Sequence, residues 1–255
     1  HGDAPHLVLA PTSITDCIFT AQWAVHLAEA LQTAAIVLSD QSLGQTQAII
    51  NRPADVDITA RRLVPQHFET GYQRYAIGDS AVSPMAIPGQ TGGQYTADGL
   101  EHDASGAPSS HPNDHYAQLE KRQRKLTEFD FGEHWADLEG DGDTAVITWG
   151  STTGVVKEAL SRLRGQGRNI RMIGMRLLAP ERPREMAQAL KGVTNLLVVE
   201  QSHSRQFYRY LRAGFSLPGT VRVLSRPGPL PFRPDEIVRE INAWEACDWS
   251  EGAKP

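Results

Sequence analysis

The sequence predicts an α/β protein built around a parallel sheet. From Thr144 to Trp244, short apolar runs alternate with amphipathic runs in strand-then-helix order. Glycines stand where those helices would end, at Gly165, Gly192 and Gly214. The amino-terminal stretch repeats the same order with one strand, one helix and a second strand.

Composition sets the bounds. With 255 residues, 40% hydrophobic and 22% charged, the chain can bury a real core as one large or two smaller domains. A net charge of -5 removes the long-range attraction that nucleic-acid binders use, so no nucleic acid is expected as a partner. The two cysteines, Cys17 and Cys247, lie far apart without CxxC spacing, which excludes an iron–sulfur cluster held by four thiolates of this chain. No run of about 18 apolar residues and no signal-type segment occurs, so the expectation is a cytoplasmic protein without membrane contact. His1 in place of Met, with a strand pattern following at once, leads us to expect a fragment or processed chain that starts inside a larger domain.

From Pro5 to Gln41 the elements read strand, helix, strand. "HLVLAPTS" is a short apolar run ended by Pro11, and Thr12, Ser13, Thr15 and Asp16 offer side-chain oxygens to cap a helix. That helix, about Asp16 to Gln32, carries Phe19, Trp23, Leu27 and Leu31 on one face. "AAIVLSDQ" reads as a buried parallel strand with Ser39 and Asp40 at its carboxyl end, where ligands of parallel sheets are bound. The middle stretch, residues 48–138, is irregular. "NRPADVDITARRLVP" lacks periodicity, and the segment beyond it is rich in Gly, Pro, Ser and Asp. A structureless stretch this long is usually functional or lies against a partner. A helix over "DHYAQLEKRQRKLTEF" follows, with the basic run Lys121, Arg122, Arg124 and Lys125. That run reads either as a solvated face or as a phosphate or acidic-partner contact. "TAVITWG", "NIRMIGMRLL", "NLLVVEQS" and "VRVLS" then supply strands, with helices over "TTGVVKEALSRLRGQG", "PERPREMAQALKG", "SRQFYRYLRAG" and "RPDEIVREINAW".

Three motifs invite chemistry. Gly140-Asp141-Gly142 with Asn169 downstream resembles the magnesium and diphosphate signature of thiamine diphosphate enzymes. In such enzymes the triplet follows a strand, whereas here it precedes "TAVITWG" and reads as a turn. "WGSTTG" follows a strand and opens a helix, so Ser151, Thr152 and Thr153 are candidates either for anion binding or for capping alone. "GLEHD" clusters Glu101, His102 and Asp103, which read as acid–base groups or as loop-pinning partners. Neighbours in an extended chain face opposite ways, so the three cannot all address one atom. No HExxH, no GxSxG and no His/Cys metal cluster occurs.

Taken in order, "HGDAPHLVLAPTS…DCIFTAQWAVHLAEALQTAAIVLSDQSL", "TADGLEHDASGAP…H…KRQRKL" and "VITWGSTTGVVKEAL" resemble the alpha subunit of 2-oxoacid:ferredoxin oxidoreductases, nearest to the 2-oxoglutarate type. The resemblance implies that residues 1–47 end a domain of the thiamine-enzyme pyrimidine type. Residues 139–255 would form a transketolase C-terminal-like parallel α/β domain, with 48–138 wrapping between subunits. It implies a beta subunit carrying thiamine diphosphate, magnesium and a [4Fe–4S] cluster, with coenzyme A as co-substrate, ferredoxin as electron partner and a preceding part of the alpha subunit. The family's YPITPS-like turn and Gly-Leu-Pro-Thr-[Lys/Arg]-Thr-Glu-like loop do not occur here, so it implies no catalytic, cofactor or metal residue in these 255, and a chain inactive alone. Ser39, Asp40, Glu101, His102, Asp103, Ser151, Thr152 and Thr153 are the candidates for a substrate-channel wall or subunit contact. Two other readings stay open: a non-catalytic α/β assembly or anion-binding module, and a pyruvate or branched-chain 2-oxoacid oxidoreductase subunit.

Overall fold

A computed structural model describes residues 3–52, 61–68 and 71–246. The reading of "NRPADVDITARRLVP" falls partly on residues 53–60, and Cys247 on the last nine, which lie outside the described residues. The elements, in order, are β1 (Leu7–Leu9), α1 (Ile14–Leu31), β2 (Ala35–Val37), α2 (Gln41–Gln45), α3 (Pro112–Thr127), a 3-10 turn (Gly132–Trp135), β3 (Ala136–Glu139), β4 (Thr144–Trp149), α4 (Thr152–Arg164), β5 (Arg171–Met175), β6 (Leu177–Ala179), α5 (Pro183–Ala189), β7 (Asn195–Glu200), α6 (Gln206–Gly214), β8 (Thr220–Ser225) and α7 (Pro234–Ala246). They fall into two compact units. One comprises His1–Val8, Ala21–Ile36 and Ala54–Phe131, the other Leu9–Thr20, Val37–Pro53 and Gly132–Pro255.

The second unit holds a five-stranded sheet in the order β3-β5-β4-β7-β8. All neighbours are parallel except β3, which runs antiparallel to β5 with Ala136 opposite Met175. The sequence reading missed β3, whose four residues are too few to show a period. β4, β5 and β7 are almost fully buried, as strands covered on both faces should be. On one face Val146, Met172, Leu197 and Val199 pack with Val156, Leu160 and Leu163 of α4 and Ile237, Ile241 and Trp244 of α7. Intervening residues such as Ala145 and Ile147 point the other way, where α6 lies against β7. The connection through α4 runs from β4 outward to β5, and that through α6 runs from β7 outward to β8. With crossovers of one hand, opposite directions require opposite faces, so the chain reverses between β4 and β7.

"NIRMIGMRLL", read as one strand, is two. It bends at Arg176, whose N–H donates to Trp135 O (2.8 Å) and whose guanidinium turns to Asp16. Within the same unit Ala10 N donates to Arg176 O and Leu38 N to Leu9 O, both at 2.7 Å. Of the three glycines expected at helix ends, only Gly192 has positive φ. Gly214 is small for another reason: a Cβ there would stand 2.9 Å from the Glu181 side chain.

The amino-terminal helix forms as expected, with Ser13 Oγ accepting from Asp16 N at its start. Trp23, Leu27 and Leu31 are buried, whereas Phe19 is half-buried. β2 is not the buried strand that its apolar run suggested. Ile36 and Val37 are each 43% exposed, with nothing covering them among the described residues. In the first unit no helix or strand forms between residues 61 and 111 among the described residues, apart from an isolated bridge of His102 with Pro108. Backbone carbonyls without a ladder still need donors. α3 supplies them: Gln118 Nε2 donates to Tyr75 O (2.9 Å), Lys121 Nζ to Ala76 O (2.7 Å), Arg124 to Gly78 O (2.6 Å) and Lys125 Nζ to Gln32 O (3.2 Å). The basic run is therefore not a solvated face, since Lys121 is buried and Lys125 half-buried.

Leu160 is fully buried among both helices and the sheet. Leu160→Ala should cost about 2–5 kcal/mol, read as a lowered urea midpoint with an unchanged m-value.

Candidate functional site

Parallel sheets of this kind bind ligands outside the carboxyl ends of the strands where the chain reverses direction. A cleft of about 610 Å³ lies there, at the ends of β4 and β7. Gly150 ends β4 with φ +65, a left-handed turn that glycine makes without strain and that leads into α4. The hydroxyls expected to cap α4 do not do so. Ser151 makes no side-chain cap bond, and Thr153, 2% exposed, packs its methyl against Gly174. The cap comes from Asp40. One carboxylate oxygen accepts from Ser151 N (3.3 Å), and the other accepts from Leu43 N (3.0 Å) at the start of α2. The second helix at the cleft, α6, is capped likewise by Glu200, which accepts from Phe207 N and Tyr208 N, each at 3.0 Å, and from Ser202 Oγ. Glu200 was missed by sequence reasoning. Its one visible signal is a charge closing the apolar run "NLLVVE".

The structure thus brings Asp40, Ser151 and Thr152 to one place, with Ser39 exposed beside Asp40. It makes the site unlike the expected anion cradle. An anion at the start of α4 would meet the Asp40 carboxylate, and no Lys, Arg or His among the described residues lines the cleft. Its walls are the Trp149–Phe207 ring pair (centroids 6.3 Å apart), Pro229 and Pro231, serine and threonine hydroxyls, and Gln41, Gln45, Gln201 and Gln206. Such a surface suits an uncharged ligand rich in amides or a heterocycle, which stacks on the rings and exchanges hydrogen bonds with the glutamines.

"GLEHD" lies in the other unit, and its three side chains diverge. Glu101 accepts from Arg122 and pairs with His115 Nδ1 (2.8 Å). Burial pushes its carboxyl up, but these two partners outweigh that and hold it below the usual range. His102 is buried, stacked on Tyr75 (4.7 Å, 14°), with Nε2 at 3.2 Å from Asp98 Oδ1, within ion-pair reach but off the hydrogen-bond direction. Asp103 accepts from Ser105 Oγ and from Ser105, Gly106 and Ala107 N–H groups, closing its own turn. All three are engaged in holding the loop.

Gly140-Asp141-Gly142 lies at the opposite end of the sheet from the cleft, before β4. Asp141 accepts from Asn169 Nδ2, and Asp141 O accepts from Arg171 (3.0 Å). A Cβ on Gly142 would stand 1.9 Å from Asn169 O. The triplet is packed onto the residues before β5, with no room for a diphosphate, so these residues do not fit the thiamine diphosphate–magnesium group. No cluster of three or more His, Cys, Asp or Glu that could hold a metal occurs among the described residues, and no described helix is long and apolar enough to cross a membrane.

Residues 2–121 match the family described as "Pyruvate flavodoxin/ferredoxin oxidoreductase, thiamine diP-bdg". Subunit alpha of 2-oxoacid:ferredoxin oxidoreductase 2 from Aeropyrum pernix is 33% identical over 239 residues, covering 89% of this chain and 37% of its own length. The 2-oxoglutarate oxidoreductase subunit KorA of Mycobacterium tuberculosis is 30% identical over 253 residues, covering 95% and 37%. A solved structure, 2-oxoglutarate:ferredoxin oxidoreductase from Magnetococcus marinus with 2-oxoglutarate, coenzyme A and succinyl-CoA bound, matches with TM-score 0.83 and 32% identity over 95% of this chain and 43% of that one. The chain is similar to the alpha subunits of 2-oxoacid:ferredoxin oxidoreductases, and it spans about two fifths of the length of these relatives.

Two measurements check the site geometry. Gly142→Ala should destabilise the second unit by about 1–3 kcal/mol through overpacking against backbone, read as a lowered melting temperature. Burial, then the neighbouring Arg74, holds both Lys121 and Lys125 down from 10.5 to about 8, so the unfolded chain binds more protons between these values. Their contribution to stability therefore rises with pH from about 8 to about 10.5 and is lost again as pH falls through 8. Lysine ζ-group NMR should show two resonances titrating near 8, and Lys125→Met should flatten the rise.

Proposed function

We propose that the chain is part of the alpha subunit of a thiamine diphosphate-dependent 2-oxoacid:ferredoxin oxidoreductase whose substrate is 2-oxoglutarate, within a cytoplasmic multi-subunit complex. The overall reaction joins the acyl group of the 2-oxoacid to coenzyme A, releases carbon dioxide and passes the electron pair to ferredoxin, or runs in reverse. Thiamine diphosphate with magnesium supplies the electron sink for decarboxylation. We assign it, with a [4Fe–4S] cluster, to a beta subunit, because Gly140 to Gly142 form a closed turn here. The observation that carries the reading is the match over 95% of the chain to a 2-oxoglutarate enzyme at 32% identity. We assign residues 1–47 to a pyrimidine-type domain, 48–138 to subunit contact and 139–255 to a transketolase C-terminal-like domain.

The cleft at β4 and β7 would then receive the amide-bearing arm of coenzyme A. Two amides and a thiol, without charge, suit a wall of glutamines, hydroxyls and a Trp–Phe pair that contains no cation among the described residues. Ser39, Asp40, Ser151 and Thr152 would line this channel. Glu101, His102 and Asp103 would hold the subunit-contact loop in shape, and Thr153 would pack beneath the channel.

The complex purified with its beta subunit should reduce ferredoxin when given 2-oxoglutarate and coenzyme A, and absence of that activity would refute the assignment. Gln45→Ala and Gln206→Ala, both at exposed positions, should each raise KM for coenzyme A about tenfold, or about 1.4 kcal/mol, with kcat and KM for the 2-oxoacid unchanged. An unaltered coenzyme A KM in both variants refutes the cleft while leaving the activity intact.

A further inference from the structure

In the first unit, charges fail to balance around one cavity. About 200 Å³ in volume, it is bounded by Arg74, Lys121, Arg122 and Lys125, with Glu101 the one carboxylate in its wall among the described residues. Glu101 is already taken by Arg122 and His115. Among the described residues the other three cations pair with no carboxylate and meet neutral acceptors, and the Arg74 guanidinium also lies 5.3 and 5.7 Å from the Tyr75 and Tyr95 ring centroids. Lys121 donates to Ala76 O and Ser83 Oγ, Lys125 to Gln32 O, and Arg74 to Ser83 O (3.4 Å) and Gln32 Oε1 (2.8 Å). Two further donors in the same wall, Arg74 Nε and Gln32 Nε2, are buried with no acceptor.

Stapling loop carbonyls explains why α3 carries donors, but not why they are charged. Glutamine does the same work at Gln118 without charge. Cations withdrawn from water cost free energy unless an opposite charge compensates them. Three uncompensated cations and two idle donors around one void match a ligand with two negative charges and several acceptor oxygens better than a single carboxylate. We propose that this cavity binds a tetrahedral oxyanion, a phosphate group, held by Arg74, Lys121 and Lys125. The charge comes either from free phosphate or from a phosphate monoester on a larger molecule. Among the described residues the remaining titratable groups nearby are Tyr75, Arg122, Arg124, Glu101 with its partner His115, and His102 with its neighbour Asp98.

The test uses the 255-residue chain and sulfate, whose charge is constant across the range, in titration calorimetry. Saturable single-site binding is expected at about pH 7, and roughly tenfold weaker binding at about pH 9.5, where lysines with pKa near 8 have lost their protons. Arg74→Gln and Lys125→Gln should each weaken binding about tenfold, about 1.4 kcal/mol, with circular dichroism unchanged. A purely stapling role would leave no sulfate signal to lose. Inorganic phosphate and 3′-phosphoadenosine then separate the sources. Tighter binding of the ester assigns a phosphate monoester, equal binding assigns the free ion, and both support the site. Absence of saturable sulfate binding by the folded chain, or binding undiminished in both variants, overturns it.

Discussion

The geometry of the second unit depends on the ion pair of Arg176 with Asp16. Each side chain is 11% exposed, and the guanidinium contacts both carboxylate oxygens at 2.9 to 3.0 Å while also donating to His134 O. Thr12, through N–H and hydroxyl, and Thr20 complete the shell around Asp16. A pair this buried is expensive to break, because the partner left behind is an uncompensated charge worth about 3–5 kcal/mol. It fixes the start of α1 and the bend between β5 and β6 to one another, and Ala10 and Leu38 extend that junction through backbone hydrogen bonds. Asp40 follows Leu38 by two residues, so the same junction delivers its carboxylate to Ser151 at the mouth of the sheet.

Both helix starts at the cleft are closed by carboxylates of the chain itself. The partial positive charge that a helix start offers is thereby spent internally, on Asp40 and on Glu200. What remains for a ligand is shape, aromatic surface and neutral hydrogen bonding. This inverts the simplest expectation for a strand–glycine–helix motif, which is a phosphate cradle. The positive charge that the second unit lacks at its cleft is concentrated in the other unit, around Arg74, Lys121 and Lys125.

The two units satisfy their backbones by different means. In the second, a five-stranded ladder pairs the polar groups and leaves side chains free to pack. In the first, a long segment without helix or strand among its described residues takes donors from one helix, α3, whose lysines and arginines reach Gln32, Ala76 and Gly78. The basic run of α3 therefore has its meaning in contacts 21 to 93 residues away along the chain, which no local pattern reveals.

Local pattern determined the order of strands and helices from β4 to α7, apart from the split of β5 from β6, together with the apolar face of α1 and the turn character of Gly140 to Gly142. Each depends on neighbours within a few residues, and hydrophobic spacing and turn chemistry are local signals. Family likeness was legible too, because three separated blocks kept their order. Tertiary structure decided the rest: that β2 stays exposed, that β3 joins the sheet antiparallel, that Arg176 breaks a strand, and that Asp40 rather than Ser151 to Thr153 caps α4. All of these turn on which distant group arrives at a given backbone donor or charge. A backbone N–H donates to whichever oxygen the fold delivers, and the sequence around it does not record that oxygen's address.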